Sequence, residues 1–208
     1  MISTDLQTYI ETEILPRYDS FDKGHNRQHI QKVITESLLL AEEYAVDKNM
    51  VFTIAAYHDS GMPQGREQHH IFSGELLLAD TMLLRWFSHE QLLVMRDAIE
   101  DHRASSKQSP RTIYGCIVAE ADRDISVDVV LRRTLQFGLK KYPNEPFLFH
   151  FNRSIAHLKE KYAEDGYLQL YLKSAKNERG LAELRTLIRD EKALEKQCLL
   201  IFEEETKV

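Results

Sequence analysis

The chain has 208 residues, of which 43% are hydrophobic and 29% are charged, a balance typical of a folded globular protein. Its formal net charge of −6 disfavours proteins that bind nucleic-acid polymers or membrane surfaces, because these need an excess of cationic groups. The N-terminal residues lack a basic segment followed by an apolar core, and no apolar run approaches the ~20 residues of a membrane span. We therefore expect a cytoplasmic protein with neither a membrane nor a nucleic-acid partner.

The first half of the chain is predicted to be helical. Glycine (8) and proline (5) are scarce, and apolar residues recur mostly at helical spacing. Ser88, followed by Glu90 and Gln91, has the features of a helix N-cap. The patterns predict helices over residues 4–17, 29–45, 48–58, 69–87 and 88–102, with loops at 19–24, 60–68 and 103–110.

The second half continues the helical pattern. We expect helices over 113–125, 129–141 and 147–164, with a break near 124–128. Apolar residues from Leu181 to Phe202 form one amphipathic stripe, which predicts a single long helix over 177–205. This helix is predicted to pack on the core, and a homodimer contact is the alternative. We find no clear linker, so the chain is predicted to be one all-α domain over residues 1–208.

Histidine is unevenly distributed along the chain. Seven of the nine histidines lie in the first half, and six of these stand near candidate motifs: His25, His29, His58, His69, His70 and His102. His29 lies four residues before Val33, and Asp122 lies four after Val118, so both share an apolar helix face. A carboxylate that points into a core needs a cation or several donors. A set of His and Asp side chains suits hard or borderline divalent metals, so we predict a metal site of His29, His58, Asp59 and Asp122.

Such a site supports metal-assisted hydrolysis. Neutral imidazoles and carboxylates hold a metal and leave positions open for water, whose pKa then falls towards neutrality. A carboxylate can bridge two metals, whereas an imidazole ordinarily cannot. Asp59 is therefore a better candidate than His58 for the bridging ligand and for the catalytic residue that orients the water.

The same residues resemble a known family. His29, the pair His58-Asp59 and the distant Asp122 resemble the H…HD…D signature of the HD-domain superfamily of metal-dependent phosphohydrolases. The segments 19–33, 56–61, 99–102 and 119–123 resemble the family's motifs in the same order. The resemblance implies an all-α, HD-like helical bundle over about residues 15–130, with a C-terminal helical extension over about 131–208. It also implies that the four signature residues bind one divalent metal.

Some members of this family bind a second metal through two further histidines. Here these would be His102 and either His69 or His70, which are candidates for a second metal or for substrate contact. The family pattern has a small residue four positions after the first of them, and both Ser73 and Gly74 fit. The run that begins at Ser73 favours His69.

Several cationic side chains near these motifs are candidates for binding phosphate. The planar fork of arginine suits phosphate oxygens, and a lysine contributes a point charge. The candidates are Arg27, Arg66, Arg103, Lys107 and Arg123.

The leading functional hypothesis is a metal-dependent phosphohydrolase that acts on a small phosphate ester or anhydride, such as a nucleotide. Its cofactor would be one or two divalent ions of Mn, Fe, Co, Ni or Mg, among which the ligand set does not choose. One alternative is an HD-fold diiron oxygenase that activates dioxygen. Another is a non-catalytic module that binds a nucleotide.

Overall fold

A computed structural model of the chain describes residues 1–22, 24–103 and 108–207. These residues form helices and no β-strand, which confirms the predicted all-α class. No helix among them is both long and apolar enough to cross a membrane. The helices are α1 (Thr4–Tyr9), α2 (Arg27–Ala41), α3 (Lys48–Tyr57), α4 (His69–Ala79), α5 (His89–Asp101), α6 (Ile113–Asp122), α7 (Val127–Lys141), α8 (Phe147–Tyr162), α9 (Ala175–Arg189) and α10 (Glu191–Thr206).

The N-terminal segment is helical throughout but changes its helix type. After α1, a π-helical turn covers Ile10–Ile14 and a 3₁₀ helix covers Leu15–Ser20. Leu6, Ile10, Ile14 and Tyr18 are all fully buried, so one face of the whole segment packs into the core. The prediction of a helix over residues 4–17 is confirmed in extent.

The chain forms two compact units, Met1–Arg123 and Asp124–Val208. In the first unit, α3 packs against α2, α5 and α6, and every residue from Met50 to Tyr57 is buried. The first residues after α3 are therefore held at the centre of this unit. These residues are His58 and Asp59.

The second unit, formed by α7 to α10, has its own hydrophobic core. Leu135, Leu158, Leu184 and Leu194, one from each helix, are fully buried in it. The boundary between the units lies a few residues before the predicted end of the HD-like core. The assignment of residues 1–208 to a single domain stays a prediction.

Two predicted helices are interrupted by aspartates. The helix predicted over 177–205 is wrong in its continuity, because Asp190 leaves the helical region (φ −99°, ψ 82°) and its side chain accepts from the amide of Ala193. Likewise, Asp80 ends α4, and its carboxylate accepts from the amide of Met82 at the start of a 3₁₀ helix, Thr81–Arg85. Aspartate competes for backbone donors in this way, whereas the apolar pattern continues across the break. Periodicity alone therefore conceals both interruptions.

The predicted N-cap at Ser88 is confirmed. Its hydroxyl accepts from the amide of Gln91 at 3.2 Å, and the side chain of Gln91 accepts from the amide of Ser88 at 2.9 Å. This reciprocal capping box satisfies two amides at the start of α5. It sets where α5 begins and so contributes to placing its far end, at which His102 lies.

Candidate metal centre

Six side chains singled out in the sequence meet in the first unit, and all of them lie at helix ends. Asn26 caps α2 by accepting from the amide of His29 at 3.1 Å, which places His29 in the first turn. His69 is the first residue of α4 and Asp122 is the last residue of α6. The converging residues are His29, His58, Asp59, His69, His102 and Asp122. Five different helices therefore contribute to one site.

The carboxylate of Asp59 lies at the centre of the cluster and is 3% exposed. Its Oδ2 atom is 3.5 Å from His29 Nε2 and 3.2 Å from His58 Nε2. Its Oδ1 atom is 3.3 Å from His69 Nε2 and 3.6 Å from His102 Nε2. The two oxygens thus face two different pairs of imidazoles.

Asp122 lies on the same side of the cluster as Asp59 Oδ2. Its Oδ1 atom is 3.1 Å from His29 Nε2 and 3.8 Å from His58 Nε2, and its side chain is half-buried. The donor atoms of His29, His58 and Asp59 all lie within 4.8 Å of one another. His58 and Asp122 form a second such group with His102, which links the two halves of the cluster.

Three of the imidazoles are oriented by the backbone. Nδ1 lies 2.8 Å from the carbonyl oxygen three residues earlier in His58 and in His69, and 2.5 Å in His102. A carbonyl only accepts, so Nδ1 carries a proton, and in the neutral ring the lone pair is then on Nε2. Imidazoles that bind metals are usually held by such a hydrogen bond through the other ring nitrogen.

The Nε2 atoms of His29 and His58 are placed to bind a cation rather than to form hydrogen bonds. Those of His29 and His58 are buried and have no hydrogen-bond partner, although carboxylate oxygens lie 3.1 to 3.2 Å away. These contacts have the distance but not the angles of hydrogen bonds. The Nε2 atoms of His69 and His102 lie 3.2 Å apart, within hydrogen-bond distance of each other. Imidazole nitrogens and carboxylate oxygens that converge in this way match the ligands of divalent metals.

The electrostatics of the cluster also favour a cation. Burial alone would lower the pKa of His29, but the carboxylates of Asp122 and Asp59 outweigh it and raise this pKa to about 9. Burial would raise the pKa of Asp59, but the neighbouring imidazoles, His58 foremost, hold it well below its usual value. Two carboxylates therefore stay ionised in a buried site and need positive charge beside them.

A close approach of two helices brings His69 to Asp59. The amide of Gly61 donates to the hydroxyl of Ser73 at 2.8 Å. A Cβ atom on Gly61 would collide with the carbonyl of His69 and lie 2.6 Å from the amide nitrogen of Ser73. Only glycine fits between the end of α3 and the start of α4. The sequence analysis recognised the small Ser73 but not the requirement at Gly61.

The structure separates His69 from His70. Only His69 joins a group of converging donor atoms, and the two ring centroids are 5.6 Å apart. Burial lowers the pKa of His70 to about 4, and electrostatic interactions with the neighbouring His102, His69 and Arg103 add to the effect. His70 therefore borders the cluster as a neutral imidazole.

Two of the arginine candidates are paired with carboxylates. Arg27 donates from Nε and Nη2 to both oxygens of Asp19, at 2.7 and 2.5 Å. Arg123 is buried and donates from Nη1 to Glu120 at 2.8 Å. Both cations are thus engaged within the protein, and their assignment to phosphate binding stays a prediction.

The remaining phosphate candidates flank the cluster. Arg66 is exposed, and its carbonyl oxygen lies within hydrogen-bond distance of His69 Nδ1. Arg103 follows His102 and donates to the carbonyl of Glu67. Lys107 lies outside the described residues. Of the two that the structure describes, Arg66 is the more exposed to solvent.

A second His–Asp pair lies next to the cluster. His25 Nδ1 is 2.9 Å from Asp22 Oδ1, which also accepts from the amide of Gly24 at 2.8 Å. The His25 ring centroid is 6.1 Å from that of His29, and the His25 side chain is 17% exposed. His25 was expected among the clustered histidines, without an assigned role. The aspartate three residues before it, in a glycine-containing turn, was the available signal.

These features can now be compared with known proteins. The family model described as HD domain matches residues 27–125. These residues are an HD domain. The match confirms the family resemblance, and the matched segment contains all six converging side chains. HD domains bind divalent metals and typically belong to metal-dependent hydrolases. Comparisons with curated proteins and with solved structures gave no match.

Proposed function

We propose that this HD domain hydrolyses a small phosphate ester or anhydride, a substrate class that includes nucleotides. The observation that carries the proposal is the central carboxylate of Asp59, whose two oxygens face two separate pairs of imidazoles. Paired divalent ions about a shared carboxylate are typical of enzymes that transfer or hydrolyse phosphoryl groups.

The converging residues divide into two sets, one for each proposed ion position. Asp59 would contribute one oxygen to each position. Bound ions would polarise phosphoryl oxygens and lower the pKa of a water so that it becomes a nucleophile. The first position would be held by His29, His58 and Asp122, and the second by His69 and His102.

The chain's own side chains supply orientation and a proton. Asp59, which follows the end of α3, would hold the ions and orient the attacking water. As water attacks phosphorus, the bond to the leaving oxygen breaks, and that oxygen needs a proton. His25 is paired with Asp22 through Nδ1, and in its doubly protonated form it would donate this proton from Nε2. Arg66, exposed beside the site, would bind a phosphate oxygen of the substrate.

The proposal is tested with purified protein that has been stripped of metal. We expect turnover of at least one compound in a panel of nucleotides and phosphoesters after addition of Mn, Fe, Co, Ni or Mg. His58→Ala and Asp59→Ala should abolish it, whereas His89→Ala, at an exposed position, should not. Absence of turnover with every ion, or turnover that survives both site substitutions, would contradict the proposal.

The same measurements separate the alternatives. A ligand set with room for two ions also suits a diiron centre that activates dioxygen. Iron content together with a visible absorption band in aerobically purified protein would favour that chemistry. A nucleotide that raises the melting temperature without being turned over would favour a binding module.

A further inference from the structure

Two of the last backbone carbonyls of α3 accept hydrogen bonds from side chains. Carbonyls in the final turn of a helix lack intrahelical donors and need others. One of them, the carbonyl of Ala55, accepts from His58 Nδ1 at 2.8 Å. The next, that of Ala56, accepts from the hydroxyl of Tyr18 at 2.7 Å. A tyrosine distant in sequence therefore caps the turn that carries His58 and Asp59.

Tyr18 is built rigidly into the core. It is fully buried in the 3₁₀ helix Leu15–Ser20, and its ring packs edge-on against Phe21 with centroids 4.9 Å apart. Burial raises the pKa of Tyr18 well above its ordinary value, and the carboxylate of Asp59 raises it further. The hydroxyl therefore keeps its proton and donates it to the Ala56 carbonyl.

We infer that Tyr18 is a positioning residue for Asp59. By holding the Ala56 carbonyl, its hydroxyl fixes the turn beyond α3 so that each oxygen of the Asp59 carboxylate faces its own pair of imidazoles. Terminal helical turns fray when their backbone groups lack partners, and a frayed turn here would misplace the one ligand shared by both positions. The inference rests on the proposed function, because it assumes that Asp59 binds both ions.

Tyr57 offers a matched control within α3. It is also fully buried, and its hydroxyl donates to Asp80, which caps the 3₁₀ helix Thr81–Arg85 rather than the turn at the cluster. Tyr57→Phe and Tyr18→Phe thus remove the same buried group at the same degree of burial. Only Tyr18→Phe removes a hydrogen bond to the turn that contains Asp59.

The test is metal affinity, measured by competition with a chromophoric chelator for Mn or Co. We expect Tyr18→Phe to weaken affinity by about ten- to a hundredfold, the usual effect of losing an outer partner of a metal ligand. Tyr57→Phe should lower the melting temperature comparably but leave affinity unchanged. Unchanged affinity in Tyr18→Phe, or equal losses in both variants, would overturn the inference.

The outcomes separate this inference from the proposed function. If the wild-type protein binds no ion, the proposed function fails and the inference fails with it. If the wild type binds ions and Tyr18→Phe binds them equally well, only the inference fails. If Tyr18→Phe does not fold, hydrogen exchange on the wild type decides. Metal should then slow exchange in residues 15–20 more than in 81–85, and equal slowing would overturn the inference.

Discussion

Each of the two units contains a fully buried histidine, but the two imidazoles differ in their hydrogen-bond partners and in the groups around them. His58 in the first unit has Nδ1 within hydrogen-bond distance of a backbone carbonyl and has Nε2 near the carboxylates of Asp59 and Asp122. His150 in the second unit has no hydrogen-bond partner at either ring nitrogen and packs against aromatic rings, including that of Phe202 at 5.6 Å. Burial alone therefore does not make an imidazole a candidate ligand. An orienting acceptor and converging carboxylates do.

The charges around the two histidines also differ. Carboxylates surround His58 and raise its pKa, although burial opposes them. In the second unit, the ring of His150 and the guanidinium of Arg153 both pack closely against Gly138. A cation is therefore stabilised beside His58 and disfavoured beside His150.

The largest expected effect comes from truncating each buried histidine in turn. His58→Ala should reduce metal-dependent turnover by about a thousandfold or more, because it removes a ligand from the proposed first position. His150→Ala should leave turnover within about twofold and lower the free energy of unfolding by about 1–3 kcal/mol through loss of packing. Steady-state kinetics and denaturant unfolding check both. Loss of metal binding in His150→Ala would contradict the distinction between the two histidines.

A smaller loss is expected at the pair beside the cluster. His25→Asn should lower kcat by about 10²- to 10⁴-fold for substrates with poor leaving groups, because the leaving oxygen then lacks its proton donor. For p-nitrophenyl esters, whose leaving group needs no proton, the loss should be much smaller, and metal affinity should not change. An equal loss for both substrate classes would remove His25 from the proposed mechanism. His89→Asn, at an exposed position, serves as the control.

Gly61→Ala tests the close approach between α3 and α4. The added methyl group would collide with the carbonyl of His69, so α4 must shift and carry this imidazole away from Asp59. We expect affinity at the proposed second position to fall by about tenfold or more, with destabilisation of about 1–3 kcal/mol. In the control Gly74→Ala, the new atom meets only the flexible side chain of Arg96 closely, at 2.9 Å. Unchanged ion stoichiometry and affinity in Gly61→Ala would contradict the assignment.

The smallest expected effect is the number of protons released when a metal ion binds. The pKa of His29, about 9 in the metal-free protein, means that this imidazole is protonated at pH 7, whereas a metal ligand must be neutral. Metal binding at pH 7 should therefore release about one proton from His29, and affinity should rise with pH up to about 9. Because this pKa is raised on folding, its contribution to metal-free stability is present below pH ~6.5 and is lost as pH rises through about 9.

Calorimetry in two buffers of different ionisation enthalpy measures this proton release. His29→Gln supplies the control, since it should release about one proton fewer per ion bound. Equal release by the variant and the wild type would show that His29 is not the source of the proton.

Residue spacing was enough to predict part of the site. Helical spacing placed His29 and Asp122 on inward-facing positions, and the structure brings both to the cluster. The same spacing fitted both His69 and His70, because both begin the same helix, and only the run that begins at Ser73 favoured His69. The interruption at Asp190 was missed because an apolar stripe carries no information about a capping side chain. The contact between Tyr18 and Ala56 joins residues far apart in sequence and has no local signature.

Helical periodicity and an ordered motif are properties of residue order, so the helical class and the HD domain could be predicted from the sequence. Tertiary packing was needed to establish which oxygen of Asp59 faces which imidazoles, that His69 rather than His70 joins the cluster, and that His25 and Tyr18 lie beside it. These outcomes depend on where the ends of five helices meet. That meeting point is set by the packing around α3 and by the close approach at Gly61.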